Sequence, residues 1–245
     1  MSSTSARSAI VTGAGKRVGA EIARALAADG WTVIAHVRSD ADPVPENTRK
    51  AVADLARPDC AERIFAAAAG LPPVRLLVNN AARFVHDQFG GFDPAEFDAH
   101  MAVNVRAPAL LTDRFAAQQN GEDALIVNIL DSKLAAPNPD FLSYTLSKQA
   151  LAGLTELGAR ALAASGIRVN GIAPALMLRS SGQSQENYDK MHRLNPLGRG
   201  VEPADVIAAL RYLIGARCVT GQVLTIDSGQ GFLSLDRDVQ FLETK

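Results

Sequence analysis

The sequence predicts an α/β protein, a doubly wound parallel sheet flanked by helices on both faces. Three observations predict it. Short apolar or β-rich runs alternate with helix-spaced runs along the 245 residues. A glycine-rich turn, Gly13-Ala14-Gly15, stands between the first such run and the first helical stretch. Leu76-Leu77-Val78 is a wholly apolar run of the kind found in strands buried on both sides. Strands that alternate with helices imply right-handed βαβ crossovers, hence parallel pairing.

Taken in order, Ser8 to Thr12 forms the first strand and runs into the glycine turn. Gly19 to Ala28 has helical spacing, and Asp29-Gly30 stops it. Trp31 to Val37 is β-rich, and Ala51 to Leu55 supplies a third strand, followed by an alanine-rich helix to Ala69. The strand at Leu76 leads to a helix from Pro94 toward Ala117, then a strand from Leu125 to Leu130. A long helix covers Tyr144 to Ala164, a strand Ile167 to Ala173, a helix Pro203 to Ile214, and Gln222 to Asp227 closes the sheet. No linker, repeat or low-complexity block interrupts residues 1–245, so one domain is expected. Arg83 to Asp93 and Ala175 to Glu202 read as irregular, and such loops beyond the carboxyl ends of strands form the ligand crevice of these sheets.

The bulk properties exclude several classes. A net charge of −1 offers no broad attraction for nucleic acid or an anionic membrane. Cys60 and Cys218 make neither a disulfide framework nor a metal spacing, and His36, His86, His100 and His192 show no metal spacing either, so no metal is expected. The opening MSSTSARSAIVTGAG lacks the apolar core of a signal peptide or membrane span, which favours the cytoplasm.

The turn Thr12-Gly13-Ala14-Gly15-Lys16-Arg17-Val18-Gly19 lets the backbone approach a phosphate, while the helix that follows offers free N–H groups. This is the turn of a Rossmann-type dinucleotide site, or else an ordinary tight turn. The end of the next strand, His36-Val37-Arg38-Ser39, has no acid until Asp40 to hold a ribose 2′-hydroxyl. Arg38 suits a 2′-phosphate, with Lys16 or Arg17 as a second positive group, so NADP(H) is expected over NAD(H); the alternative is a solvated Arg38.

Together these residues resemble the short-chain dehydrogenase/reductase family over nearly the whole chain. Thr12-Gly13 through Gly19 takes the place of its glycine motif, Asp54-Leu55 of its adenine-contacting pair, and Asn79-Asn80-Ala81-Ala82 of its Asn-Asn-Ala-Gly segment. Asn104 stands for its helix asparagine, Tyr144-x-x-x-Lys148 for its catalytic pair, and Pro174 begins the segment that covers nicotinamide. Three departures matter: Arg17 replaces the middle glycine, Asp131 replaces the serine thirteen residues before the tyrosine, and Ala175-Leu176-Met177 follows the proline. Arg17, Asp131 and Phe84 resemble the pteridine reductases, with dihydromonapterin and dihydrofolate reductases close by. The resemblance implies that Arg17 reaches pterin and phosphates, that Phe84 stacks on the pterin, and that Asp131 joins Tyr144 and Lys148 in catalysis. His36-x-Arg38-Ser39 resembles that subgroup's NADPH-binding turn.

The chemistry of Asp131 explains the preference. Tyr144 and Lys148 lie four apart and share a helix face, and the ammonium is expected to lower the tyrosine pKa from its usual ~10. Carbonyl reduction develops negative charge on oxygen, which an ionised carboxylate at ~4 Å opposes by roughly 4 kcal/mol at an effective dielectric of ~20. A C=N bond instead needs a proton on nitrogen, which a carboxyl kept protonated by its neighbours supplies. Asp131 and Tyr144 then share protons as one coupled unit. Competing readings are that Ser132, twelve residues before Tyr144, acts instead, that Phe84 is a core or lid aromatic, and that Arg17 only holds phosphate. Asn104 orders backbone and water near Lys148, and Leu176, Met177 and Leu178 line the pocket lid.

The expected function is NADPH-dependent reduction of a pterin or dihydropterin of the dihydrobiopterin, dihydromonapterin or dihydrofolate type. A general carbonyl or 3-oxoacyl reductase is the second reading and a non-catalytic NADP(H)-sensing module the third. The resemblance implies a homotetramer, or a dimer, with helices around Asn104 and Tyr144 at its contacts; Ser180 to Asn187 is expected to be a mobile lid, and the tail from Gly231 to reach a neighbouring subunit.

Overall fold

The computed structural model describes residues 6–180 and 182–242. Its seven strands, β1 (Ser8–Val11), β2 (Thr32–Val37), β3 (Thr48–Val52), β4 (Val74–Asn79), β5 (Ala124–Ile129), β6 (Ile167–Pro174) and β7 (Val223–Ile226), form one sheet in the order β3-β2-β1-β4-β5-β6-β7. Every pair is parallel. The order reverses between β1 and β4, so the crevice of this Rossmann-type fold opens at their carboxyl ends.

Helices cover both faces. On one, α1 (Arg17–Ala28) and α7 (Pro203–Gly215) bury Val18, Ile22, Leu26, Val206, Leu210 and Leu213 against the sheet. On the other lie α2 (Cys60–Ala66), α4 (Ala107–Ala116) and α5 (Leu142–Leu162), whose Ile64, Leu111, Phe115 and Ala159 pack on Ile10, Ile126 and Val169. The i, i+4 spacing of Val18, Ile22 and Leu26 makes α1 amphipathic, and Gly30 at φ +84° follows its end in a conformation that other residues resist.

Most expected elements are present with shifted ends. The third strand is Thr48–Val52 rather than 51–55, because its register pairs Val33 with Thr48 and Val37 with Val52. Leu55 is buried in the core just beyond it. The alanine-rich helix ends at Ala66, and turns carry the chain to Gly70. The helix from Pro94 is divided into α3 (Pro94–Met101) and α4 by a π-helical turn, Ala102–Arg106. Within the stretch expected to be irregular, α6 (Gln185–Met191) forms because Ser184 caps it by accepting from the Asn187 N–H at 3.1 Å. The expected lid therefore carries a capped helix over Gln185–Asn187. Ser181, the first five residues and the last three lie outside the described residues. Among the described residues, no helix is long and apolar enough to cross a membrane.

Candidate active site

The buried stripe of α5 contains Tyr144, Lys148, Leu151, Thr155 and Ala159. The face that docks the helix on the sheet thus also carries Tyr144 and Lys148 to the crevice. The Tyr144 hydroxyl donates to Asp131 Oδ2 at 2.8 Å, and Asp131 Oδ1 accepts the Lys133 N–H at 2.9 Å. Lys148 is buried, donates to the Ile129 carbonyl at 2.6 Å and lies 5.6 Å from the centre of the Tyr144 ring.

Asp131 is half-buried and opens on a cavity of about 490 Å³. Loss of water raises its pKa above the ordinary carboxylate range; the Lys133 N–H, the Tyr144 hydroxyl and Lys148 only partly oppose this. Burial also lowers Lys148 to about 8, with Asp131 acting in the other direction. Tyr144 is raised well above its usual value, by burial first and then by Asp131. The expectation that Lys148 lowers the tyrosine pKa is therefore corrected: in this arrangement the nearest charge to the phenol is the carboxylate it touches. The result is a carboxyl and a phenol with raised pKa values, beside a lysine lowered to about 8.

Ser132 is buried and also lines the cavity, but the Tyr144 hydroxyl bonds Asp131 rather than Ser132. Phe84 lines the cavity too, 43% exposed, stacked on Phe141 at 4.2 Å and edge-on to Tyr144 at 4.7 Å. One face of Phe84 is therefore already occupied by Phe141. Met177 and Leu176 also line the cavity, and the Met177 carbonyl accepts from the Tyr188 hydroxyl at 2.8 Å.

Asn104 touches neither Tyr144 nor Lys148. It sits in the π-helical turn, accepts the Arg83 N–H at 2.7 Å, and donates to the Arg83 carbonyl at 3.0 Å and to the Ser147 hydroxyl at 2.9 Å. It positions the segment leading to Phe84 and ties that segment to α5 next to Lys148, in keeping with the backbone-ordering role expected of it.

The glycine turn is held by backbone proximity. A Cβ on Gly19 would lie 2.2 Å from the Gly13 carbonyl oxygen, and one on Gly13 would lie 3.0 Å from the Ala81 Cα. Thr12 accepts the N–H groups of Asn80 and Ala81 at 2.9 and 3.0 Å, and the Asn80 amide donates to the Thr12 carbonyl at 2.8 Å. His36 is buried beneath this turn: Nδ1 accepts the Gly13 N–H at 3.1 Å and Nε2 donates to the Ala53 carbonyl at 3.0 Å. Burial lowers the His36 pKa. Its expected contact with cofactor is thus replaced by a structural one, since both ring nitrogens are occupied.

Asp54 accepts the Ala56 N–H at 2.9 Å on an exposed turn, beside buried Leu55. Ser39 donates its N–H to Asp42 at 2.9 Å. Arg38 is exposed at the end of β2 and has no hydrogen bond or ion pair among the described residues. Lys16, also exposed, precedes α1 without a side-chain cap, which leaves first-turn N–H groups for an anion. Pro174 ends β6. A phosphate-receptive turn, a free guanidinium at the second strand and an adjoining cavity fit a dinucleotide carrying a 2′-phosphate.

Arg17 takes φ +52°, a left-handed conformation at the position where the family has glycine. Its guanidinium donates to the carbonyls of Arg179 at 3.0 Å and Leu178 at 3.3 Å, so it fastens the segment after β6 while also lining the cavity.

Sequence reasoning did not identify the far end of the cavity. Lys133, Asn138, Arg237 and Asp238 line it. The tail packs on its own chain: Arg237 makes a two-pronged pair with buried Asp140 at 2.8 and 2.9 Å, the Asp238 N–H donates to Asp140 at 2.8 Å, and Phe241 stacks near Phe141 at 5.7 Å. These contacts hold residues 237–241 of the tail against its own chain. The only sequence signal was indirect, in the acidic and basic residues of LDRD after the last strand.

The sequence profile described as Enoyl-(Acyl carrier protein) reductase matches residues 13–230. Carbonyl reductase (NADPH) 2 of Sus scrofa is 30% identical over 90% of this chain and 95% of its own. Pteridine reductase 1 of Leishmania tarentolae is 29% identical over 90% and 95%. The crystal structure of FolM alternative dihydrofolate reductase 1 from Brucella canis, complexed with NADP, superposes with a TM-score of 0.85 at 33% identity, covering 93% of this chain and 94% of the other. The chain belongs to the short-chain dehydrogenase/reductase family, a family of oxidoreductases.

Proposed function

We propose that the protein is an NADPH-dependent reductase of a pterin or dihydropterin, acting on a ring C=N bond. The observation that carries the proposal is the 2.8 Å hydrogen bond from the Tyr144 hydroxyl to Asp131, a carboxyl that burial keeps inclined to hold its proton. The similarity to pteridine reductase 1 and to the FolM structure supports it. The glycine turn, the first turn of α1 and Arg38 would hold NADPH, which when bound supplies the hydride.

Asp131 donates its proton to the substrate nitrogen. The carboxylate left behind is stabilised by the Lys133 N–H and the Tyr144 hydroxyl already directed at it. Tyr144 then passes a replacement proton to Asp131, and Lys148 is a proton source within the same buried group. Phe84 and Met177 line the same cavity, and a flat ring bound there would pack on the exposed part of Phe84.

Asp131→Ser should lower kcat for dihydrobiopterin, dihydromonapterin or dihydrofolate by at least about a hundredfold while the NADPH Kd stays within about twofold. Equal losses in both would count against the assigned role. In the parent enzyme, kcat/KM should be greatest at low pH and fall as pH rises through the raised pKa of Asp131, since only its protonated form donates. Carbonyl reduction is the second reading. The similarity to carbonyl reductase 2 favours it, and so does the same raised pKa, because a neutral carboxyl donates to a carbonyl oxygen without the repulsion expected of an ionised one. Faster turnover of small ketones or 3-oxoacyl thioesters than of dihydropterins would select it. NADPH binding without oxidation across the whole panel would select a sensing role.

A further inference from the structure

The far end of the cavity contains hydrogen-bond acceptors with spare capacity. Asp238 Oδ1 accepts the Gln240 N–H at 3.1 Å. Among the described residues its Oδ2 accepts only from the Lys133 ammonium, at 3.5 Å, the edge of hydrogen-bond range. Both residues line the cavity, with Asp238 17% and Lys133 9% exposed in their side chains. Asn138 lines the same cavity, and its side-chain oxygen is buried with no hydrogen-bond partner among the described residues. Buried acceptors without donors are costly, and a ligand that brings N–H groups removes the cost.

Asp238 is also held in place. Its own N–H and both arms of Arg237 converge on Asp140, which is 2% exposed. The Lys133 ammonium donates to the Asp140 carbonyl. Lys133 therefore joins both ends of the space: its backbone N–H bonds Asp131, and its side chain meets Asp238.

We propose that Asp238, with Asn138 lining the same cavity, is a specificity-determining residue that reads an edge of the substrate carrying a ring N–H and an exocyclic amino group. A carboxylate accepts two parallel N–H bonds from a cyclic guanidine or amidine and repels a carbonyl in the same place. The inference deepens the proposed function and rests on it for the identity of the ring. It adds that the tail selects the 2-amino form over a 2-oxo form.

The test is equilibrium binding to protein saturated with NADP+, read by quenching of ligand fluorescence. The probes are pterin, which has the amino group, and lumazine, which has oxygen in its place. The parent protein should bind pterin at least about tenfold more tightly than lumazine. Asp238→Asn keeps the cap on Gln240 and should reduce that preference to about threefold or less. In turnover, the same variant should raise KM for dihydropterins with kcat within about threefold, a split that general damage to the fold would not give. No preference in the parent, or an unchanged preference in Asp238→Asn, overturns the inference. If dihydropterins are reduced but the preference survives the substitution, only this inference fails. If the preference is present and lost as expected but dihydropterins are not reduced, the functional reading fails and Asp238 remains a reader of amino-bearing rings.

Discussion

The two ends of the cleft are held in different ways. At the glycine turn, Gly13 and Gly19 sit against main chain too close for a side chain, and Asn80 and Ala81 are tied to Thr12 by short hydrogen bonds. At the far end, Lys133, Asp140 and Asp238 are fixed by charged side chains from segments about a hundred residues apart in the chain, as in the Asp140–Arg237 pair with its separation of 97. The first kind of site allows few residue types at each position. The second allows many, provided the partners change together. The glycine-turn end is therefore recognisable in the sequence, while the end built from Lys133, Asp140 and Asp238 emerges only when the chain is folded.

The sharpest way to break this comparison is Gly19→Ala. The added methyl would sit 2.2 Å from a main-chain oxygen and 2.5 Å from the Asn80 amide, so the turn must move. NADPH affinity should fall about a hundredfold, or ~3 kcal/mol, with thermal stability reduced as well. Gly153→Ala is the control: nothing lies within 4 Å of that Cβ and the residue is within α5, so stability should stay level or rise by up to about 1 kcal/mol. Equal NADPH affinities for the two variants would refute the claim that main-chain crowding shapes this end.

Lys148 lies between the two ends, and it sharpens the comparison through pH. Its pKa is about 8 when folded, against 10.5 for a free lysine. Between those values the unfolded chain binds more protons than the folded one, so this group makes stability rise with pH across that window. The full span is of order 3 kcal/mol. Tyr144 acts oppositely at still higher pH, because its raised pKa keeps the phenol protonated in the folded state. Denaturant titrations of the parent and of Lys148→Met, from pH 7 to 10, isolate the lysine contribution as a difference. The parent should gain stability relative to the variant as pH rises, and a flat difference would mean that Lys148 is not buried in its charged form.

The limits of the sequence follow the same division. The parallel crossover pattern is legible because β1, β2, β4, β5 and β6 are largely apolar runs between helix-spaced segments, whereas the strand order comes from the fold. The third strand was misplaced because it is an edge strand with the polar face of Thr-Arg-Lys, whereas the apolar signal lies just past it at Leu55. Tyr144, Lys148 and Asp131 were found because helical spacing and one substitution carry chemical meaning. His36 was assigned to the cofactor because its neighbours Arg38 and Ser39 suggest it; sequence position does not disclose that its ring points under the turn. Asp238 and Asn138 had no local pattern at all, since their significance depends on Asp140 and Arg237 meeting in three dimensions.

Arg17 connects the two ends and provides the smallest expected effect. Its φ of +52° costs about 1 kcal/mol, which glycine would recover. Its hydrogen bonds to the carbonyls of Leu178 and Arg179 are exposed, so each contributes little net stability. Arg17→Gly should therefore change the unfolding free energy by less than about 1 kcal/mol. The loss should be local: the backbone near residues 178–179 is released, amide exchange there speeds up, and KM for the substrate rises severalfold more than KM for NADPH. A selective rise in KM for NADPH would instead place Arg17 with the phosphate-binding turn, and would make the segment after β6 a part of the cleft that holds its position without the arginine.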